Sequence, residues 1–124
     1  MDKLAKFYAW FLLVTTVLPA LLRLALPDRV ADITLVRFKK PGGQKRYRVL
    51  GAVVALGSLL MLPLFFLFYP DQRWILFAVA VGVLSGGEMF VNASWPETLI
   101  PQNRAFGAVY AIAAVAVYWF LLRG

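Results

Sequence analysis

Residues 27–48 read PDRVADITLVRFKKPGGQKRYR, and this charged stretch interrupts a chain that is otherwise apolar over membrane-length runs. It holds seven of the thirteen Lys and Arg residues. Only helices or closed barrels can carry a chain across a bilayer, because an unpaired backbone group in the hydrocarbon costs several kcal/mol. The long apolar segments on both sides therefore predict an integral membrane protein of the all-α class.

The composition supports this class. The chain has 124 residues, enough for one domain, and 62% of them are hydrophobic, against about 45–50% in soluble domains. It contains no Cys and no His, which excludes disulfides, thiolate ligands, Ser-His-Asp triads and most transition-metal sites. We expect no metal and no cofactor, and the residue types favour a non-catalytic protein over an enzyme.

Four segments reach the length of about 20 apolar residues that a membrane-spanning helix needs. They cover residues 7–26, 49–69, 74–95 and 105–122. Residues 92–104 contain Pro96 and Pro101, which are poor in helix interiors, so this region is expected to be a loop. The prediction is a single membrane domain folded as a four-helix bundle, with residues 27–48 as a basic loop between the first two spans.

Aromatic residues give an independent check on the number of spans. Trp and Tyr favour the membrane–water interface, since their rings are apolar but carry a polar group. With four spans, thirteen aromatic residues fall at one face of the membrane: Phe7, Tyr8, Trp10, Phe11, Phe65, Phe66, Phe68, Tyr69, Trp74, Phe77, Tyr118, Trp119 and Phe120. A three-span arrangement would scatter them.

The Lys and Arg distribution predicts the orientation, because cytoplasmic loops are enriched in these residues. Four of them, at positions 3, 6, 73 and 123, lie on the side of the termini. The other side carries eight, which we expect to bind anionic lipid headgroups: Arg29, Arg37, Lys39, Lys40, Lys45, Arg46, Arg48 and Arg104. The predicted location is the cell inner (plasma) membrane. The side with eight cationic residues is predicted to face the cytoplasm, and both termini are predicted to lie outside. No nucleic-acid partner is expected, because the loop carries no recognisable binding module.

Two structures fit the basic loop. With Asp28 as a cap, Val30, Ile33 and Val36 fall on one side of a short amphipathic helix lying in the membrane interface. Alternatively, residues 33–40 and 45–50 pair as a β-hairpin across a Pro-Gly-Gly-Gln turn. We favour the interfacial helix, because a hairpin of two strands is marginally stable in water.

A short motif recurs at the start of the second and fourth spans. Residues 48–55 read RVLGAVVA, and residues 104–111 read RAFGAVYA. The spans before them end in Leu-Pro-Asp at 26–28 and in Trp-Pro-Glu at 95–97. These matches suggest a tandem two-helix parallel repeat, related by an axis along the membrane normal. The layout resembles that of small four-helix bacterial inner-membrane proteins.

Glu88 is the one acidic residue inside a predicted span, and an intramembrane carboxylate is costly enough to suggest a role. Ser85, Glu88 and Asn92 share one helical face at spacings of three and four residues. Arg23 lies at a similar depth in the first span and is the expected ion-pair partner. Two hypotheses follow. Glu88 is a proton or cation site, or it is structural, either in an ion pair or with its side chain extended to the cytoplasmic headgroups. We favour a structural role.

Small residues recur on the third span at four-residue spacing, at Ala78, Gly82 and Gly86. In lipid, small side chains let two helices approach closely, so these residues predict a packing face. They do not identify what the helix packs against.

Three functions fit this sequence. The favoured one is a non-catalytic subunit or scaffold protein in the bilayer, working as a homo-oligomer or within a larger membrane complex. The second is a small oligomeric transporter or channel with Glu88 as its proton or cation site. The third is a protein that binds or handles anionic lipid through its Arg residues, whose planar guanidinium groups match phosphate.

Overall fold

The computed structural model describes residues 3–123, which are almost entirely helical. The helices are α1 (Lys3–Ala25), α2 (Pro27–Lys39), α3 (Gly43–Phe68), α4 (Trp74–Ser94) and α5 (Leu99–Val117). A 3-10 turn, Pro96–Thr98, precedes α5, and a π-helical turn, Tyr118–Leu122, follows it. No strand occurs in residues 3–123, so the hairpin alternative for the basic loop is wrong and most of that loop is the helix α2.

The described residues include four helical segments that are long and apolar enough to cross a membrane. These segments are Lys3–Ala25, Gly43–Phe68, Trp74–Ser94 and Pro96–Leu122. Their large apolar side chains mostly point outward, as Leu60 and Leu67 do on α3. An outward apolar surface suits hydrocarbon as the solvent and would be costly in water. The fold is that of an all-α, multi-pass membrane protein.

The second span begins six residues earlier than predicted, at Gly43 instead of residue 49. Gly42 makes this start possible, because its φ of 69° is in the left-handed region that glycine adopts without strain. The basic residues that follow are good helix formers, so charge does not interrupt the helix. At 1.5 Å per residue, α3 is about 39 Å long, which exceeds the hydrocarbon thickness of about 30 Å.

The predicted loop at residues 92–104 is mostly wrong. The helix α4 continues to Ser94, and α5 begins at Leu99, six residues before the predicted start at 105. Pro96 opens the 3-10 turn and Pro101 lies in the first turn of α5. The first turn of a helix has unpaired N–H groups in any case, so a proline there loses no hydrogen bond.

The bundle consists of two antiparallel helix pairs: α3 packs along α4, and α1 packs along α5. The pairs meet mainly where α1 and α5 touch α4. We call the end that holds α2 and the 95–98 connection the basic end. There the Asn103 Nδ2 donates a hydrogen bond to the Pro27 carbonyl oxygen at 2.9 Å, which ties α5 to the start of α2.

The opposite end, where α1 and α4 begin, is the aromatic end. The rings of Tyr8 and Trp74 stack there with centroids 4.4 Å apart. Phe77 and Phe120 lie 6.2 Å apart in a second stacked pair. Beneath them, α1, the last residue of α5 and the π-helical turn form a buried apolar cluster, whose members are Ala9, Leu12, Val117 and Leu121. Aromatic contacts therefore join α1, α4 and the π-helical turn at the aromatic end.

Candidate functional site

Arg23 and Glu88 form an ion pair between α1 and α4. The Arg23 Nε lies 2.5 Å from the Glu88 Oε2, and the Arg23 Nη2 lies 2.6 Å from the Glu88 Oε1. This is a two-pronged contact in which the planar guanidinium meets both carboxylate oxygens, the strongest form of such a pair. Glu88 is only 3% exposed, so the carboxylate depends on Arg23 for both charge and hydrogen bonds.

Tyr110 on α5 covers this pair from the other side. The Arg23 Cζ lies 5.1 Å from the centre of the Tyr110 ring, within the range of a cation–π interaction. The Tyr110 hydroxyl is hydrogen-bonded to the Ser85 Oγ on α4 at 3.0 Å. Arg23 also donates a hydrogen bond from Nη1 to the Pro19 carbonyl oxygen at 3.3 Å. The Arg23 guanidinium therefore has hydrogen-bond acceptors at its edge and an aromatic ring against its face.

Arg23, Glu88, Tyr110 and Ser85 form one cluster of polar contacts. Its members come from α1, α4 and α5, so it joins the two helix pairs of the bundle. Gly107, one turn before Tyr110, brings α5 close to α1: a Cβ at this glycine would lie 3.0 Å from the Arg23 Cβ. This close approach lets the Tyr110 ring reach the guanidinium.

Ser85 and Asn92 share a helical face with Glu88 but do not contact it through a hydrogen bond. Ser85 bonds Tyr110 instead. Asn92 is buried, and its Oδ1 accepts no hydrogen bond within residues 3–123. Of the three residues predicted to form a proton or cation site, the structure brings only Glu88 to Arg23.

A second set of polar contacts holds α3 to the end of α4. The Gln44 Nε2 donates to the Ala93 carbonyl oxygen at 2.6 Å, and the Arg48 Nη2 donates to the same oxygen at 3.3 Å. Carbonyls in the last turn of a helix have no partner within the helix, so these donors cap α4 from outside. Arg48 thus has a structural contact in addition to its predicted role in lipid binding.

The predicted small-residue face on α4 lies mostly within the molecule. A Cβ at Gly86 would lie 2.5 Å from the Ala55 backbone nitrogen on α3, and a Cβ at Gly82 would overlap the Ser58 side chain. Ala78 packs instead against the apolar cluster that includes Leu12 of α1. Gly82 and Gly86 are therefore used for contact between α3 and α4 and are not free for another protein.

The basic residues predicted to bind headgroups are on the surface. The side chains of all eight are exposed: Arg29, Arg37, Lys39, Lys40, Lys45, Arg46, Arg48 and Arg104. Within residues 3–123, the only ion pair is the one between Arg23 and Glu88. Within the described residues, the eight therefore form no ion pair with the acidic side chains at the basic end, Asp28, Asp32 and Glu97.

Sequence reasoning missed Tyr110 as a member of the site, although its spacing carried a usable signal. Asn103, Gly107 and Tyr110 follow at intervals of four and three residues, which places them on one face of a helix. That face contacts α1 and the start of α2: Gly107 abuts Arg23, Tyr110 covers the Arg23 guanidinium, and Asn103 bonds the Pro27 carbonyl. A polar and small stripe in an otherwise apolar span indicates the surface that faces the bundle interior.

Within residues 3–123 no group of three or more Asp or Glu side chains is placed to hold a metal ion. Compared with known proteins, the chain matches no family model, and neither curated proteins nor solved structures give a significant match.

Proposed function

We propose that this protein is a non-catalytic subunit or scaffold in the bilayer, and that its interior polar groups serve to fix the arrangement of its helices. The observation that carries the proposal is the contact of both Glu88 oxygens with the Arg23 guanidinium. A carboxylate whose two oxygens both accept charge-assisted hydrogen bonds from one guanidinium has a fixed partner on another helix. The Glu88 carboxylate therefore stabilises the contact between α4 and α1.

This geometry bears on the transport alternative. A proton or cation site on a pathway needs a carboxylate that a mobile ion can reach, whereas Glu88 is 3% exposed and covered by Arg23. Tyr110 is 2% exposed and lies over the guanidinium, so what remains accessible of the pair belongs mainly to Arg23, whose side chain is 19% exposed. The geometry therefore favours the structural role of Glu88 over the role in ion transport.

Two finer features belong to the same proposal. We infer that the basic end faces the cytoplasm, since its exposed cationic residues outnumber those at the aromatic end. We also infer a parallel two-helix repeat. Its support is that the equivalent glycines of the repeated motif both make close contacts: Gly51 lies against Gly86 of α4, and Gly107 lies against Arg23 of α1.

The experiment that tests this function measures the state of the full-length chain in its native membranes. The tagged protein is extracted with its surrounding lipid in polymer nanodiscs, and its mass is measured by native mass spectrometry. We expect a species larger than one chain, with either a whole number of copies or a second protein at fixed ratio. A single chain without a protein partner at every concentration would contradict the proposal.

A further inference from the structure

The surface of the basic end contains two adjoining hollows of different chemistry. One, the polar hollow, is the more polar of the two, with about half of its surface polar, and is lined by Phe38, Gly42, Gly43, Gln44, Lys45 and Arg48. The other is almost entirely apolar beyond its cationic rim and is lined by Lys45, Arg46, Val49, Leu50 and Val53. Lys45 borders both, so the two hollows form one continuous surface along the first turns of α3.

From this juxtaposition we propose that α3 carries a binding site for a single anionic phospholipid. The phosphate-bearing headgroup occupies the polar hollow beside Lys45 and Arg48, and one acyl chain lies along Val49, Leu50 and Val53. The proposal does not depend on whether the protein has a protein partner.

The charges of the site fit this occupant. Lys45 and Arg46 are exposed, and neither is in an ion pair within residues 3–123. Arg48 uses one Nη to bond the Ala93 carbonyl, which fixes its guanidinium at the rim of the polar hollow. Each Lys or Arg near an anionic surface contributes about 1 kcal/mol of attraction. The cluster therefore supplies the positive charge that a phosphate headgroup requires.

The depth of the site also fits a lipid. The helix α3 is about 9 Å longer than the hydrocarbon thickness, so its first turns reach the headgroup region. Lys45 and Arg46 lie in the first turn, and Val53 lies about 12 Å further along at 1.5 Å per residue. Cationic side chains at headgroup level followed by an exposed valine and leucine surface match the order of groups in a phospholipid.

The test compares lipid binding by the purified full-length protein in detergent, measured by native mass spectrometry with phosphatidylglycerol and phosphatidylcholine. We expect a preference for phosphatidylglycerol. Lys45→Gln should weaken its binding about fivefold, the loss that corresponds to about 1 kcal/mol. The matched control Lys6→Gln removes the same charge from an exposed side chain at the aromatic end, outside both hollows and beyond the screening length, and it should change binding by less than about twofold.

A second pair of variants tests the acyl-chain groove. Val53 is 60% exposed and Val115, on α5, is 67% exposed. Val53→Ser should weaken phosphatidylglycerol binding, whereas Val115→Ser should not. Inorganic phosphate at the same concentration should not displace the lipid, because it lacks the chain that fills the groove. Equal losses for Lys45→Gln and Lys6→Gln, no preference over phosphatidylcholine, or displacement by phosphate would overturn the proposal.

Discussion

The guanidinium of Arg23 on α1 and the carboxylate of Glu88 on α4 face each other edge to edge, with both oxygens of Glu88 in contact. Neither helix could bury its charged residue alone, because an isolated charge in a medium of low dielectric constant is very costly. Each helix therefore requires the other in one register. The pair specifies how the α1–α5 pair of helices sits on the α3–α4 pair.

The glycines of α4 provide a matched test of helix packing, because Gly86 and Gly87 are adjacent but face different surroundings. A Cβ at position 86 would lie 2.5 Å from the Ala55 nitrogen, whereas a Cβ at position 87 would meet nothing within 4 Å. We expect Gly86→Ala to lower the free energy of unfolding by about 1–3 kcal/mol. Gly87→Ala should leave it within about 0.5 kcal/mol. Unfolding in mixed micelles with increasing SDS measures both, and equal effects would contradict the packing described.

The Tyr110 hydroxyl gives a second prediction. Tyr110→Phe removes the hydrogen bond to Ser85 but keeps the ring over Arg23, so it should cost about 0.5–1.5 kcal/mol of stability. Tyr110→Leu removes the ring as well and should cost more, by about 0.5–2 kcal/mol. Tyr118→Phe is the control, because the Tyr118 side chain is exposed at the aromatic end. The prediction is wrong if Tyr110→Phe and Tyr118→Phe have the same unfolding midpoint.

The structural role assigned to Glu88 predicts the result of a transport assay. Proteoliposomes with the wild-type chain should show no proton or cation flux above protein-free vesicles at either of two pH values. Glu88→Gln should give the same trace, because the carboxylate is a helix contact and not a carrier site. A flux that depends on pH and disappears in Glu88→Gln would instead support the transporter hypothesis.

The orientation can be tested with single cysteines, since the chain has none of its own. Lys40 and Asp71 are both exposed and lie in turns at opposite ends of the bundle. With a membrane-impermeant maleimide on intact cells, we expect Asp71→Cys to react at once. Lys40→Cys should react only after the membrane is permeabilised. The reverse pattern would place the basic end outside, and labelling of both would indicate an even number of crossings between them instead of the single crossing by α3.

The sequence was sufficient to predict the helical class and four membrane-length helices, because hydrocarbon leaves few options for a long apolar segment. It was less informative about helix ends. The charged residues before position 49 predict that the second span begins there, but Lys45 and Arg46 are good helix formers, and α3 begins at Gly43. Pro96 and Pro101 predict a loop, but a proline is also compatible with the first turn of a helix, which is where Pro101 lies in α5.

The candidate site was predictable where charge limited the choices. Arg23 is the one cationic residue inside another predicted span, and it lies at a depth similar to that of Glu88. Depth alone therefore predicts Arg23 as the partner of Glu88. Tyr110 was missed because an aromatic residue by itself in an apolar helix fits core and lipid equally well, and only the helical face that it shares with Asn103 and Gly107 indicates the interior. The small-residue face showed that α4 packs closely, but its partner α3 followed only from the fold.

A double-mutant cycle on Arg23 and Glu88 measures directly how much their contact stabilises the bundle. The readout is the free energy of unfolding in mixed micelles. Arg23→Ala should cost about 3–5 kcal/mol, because it leaves a buried carboxylate unpaired. Adding Glu88→Gln should recover part of this loss, since the amide carries no charge, and Arg104→Ala should have little effect as a surface control. If the two substitutions instead add without recovery, the pair does not hold the helices together and the account is contradicted.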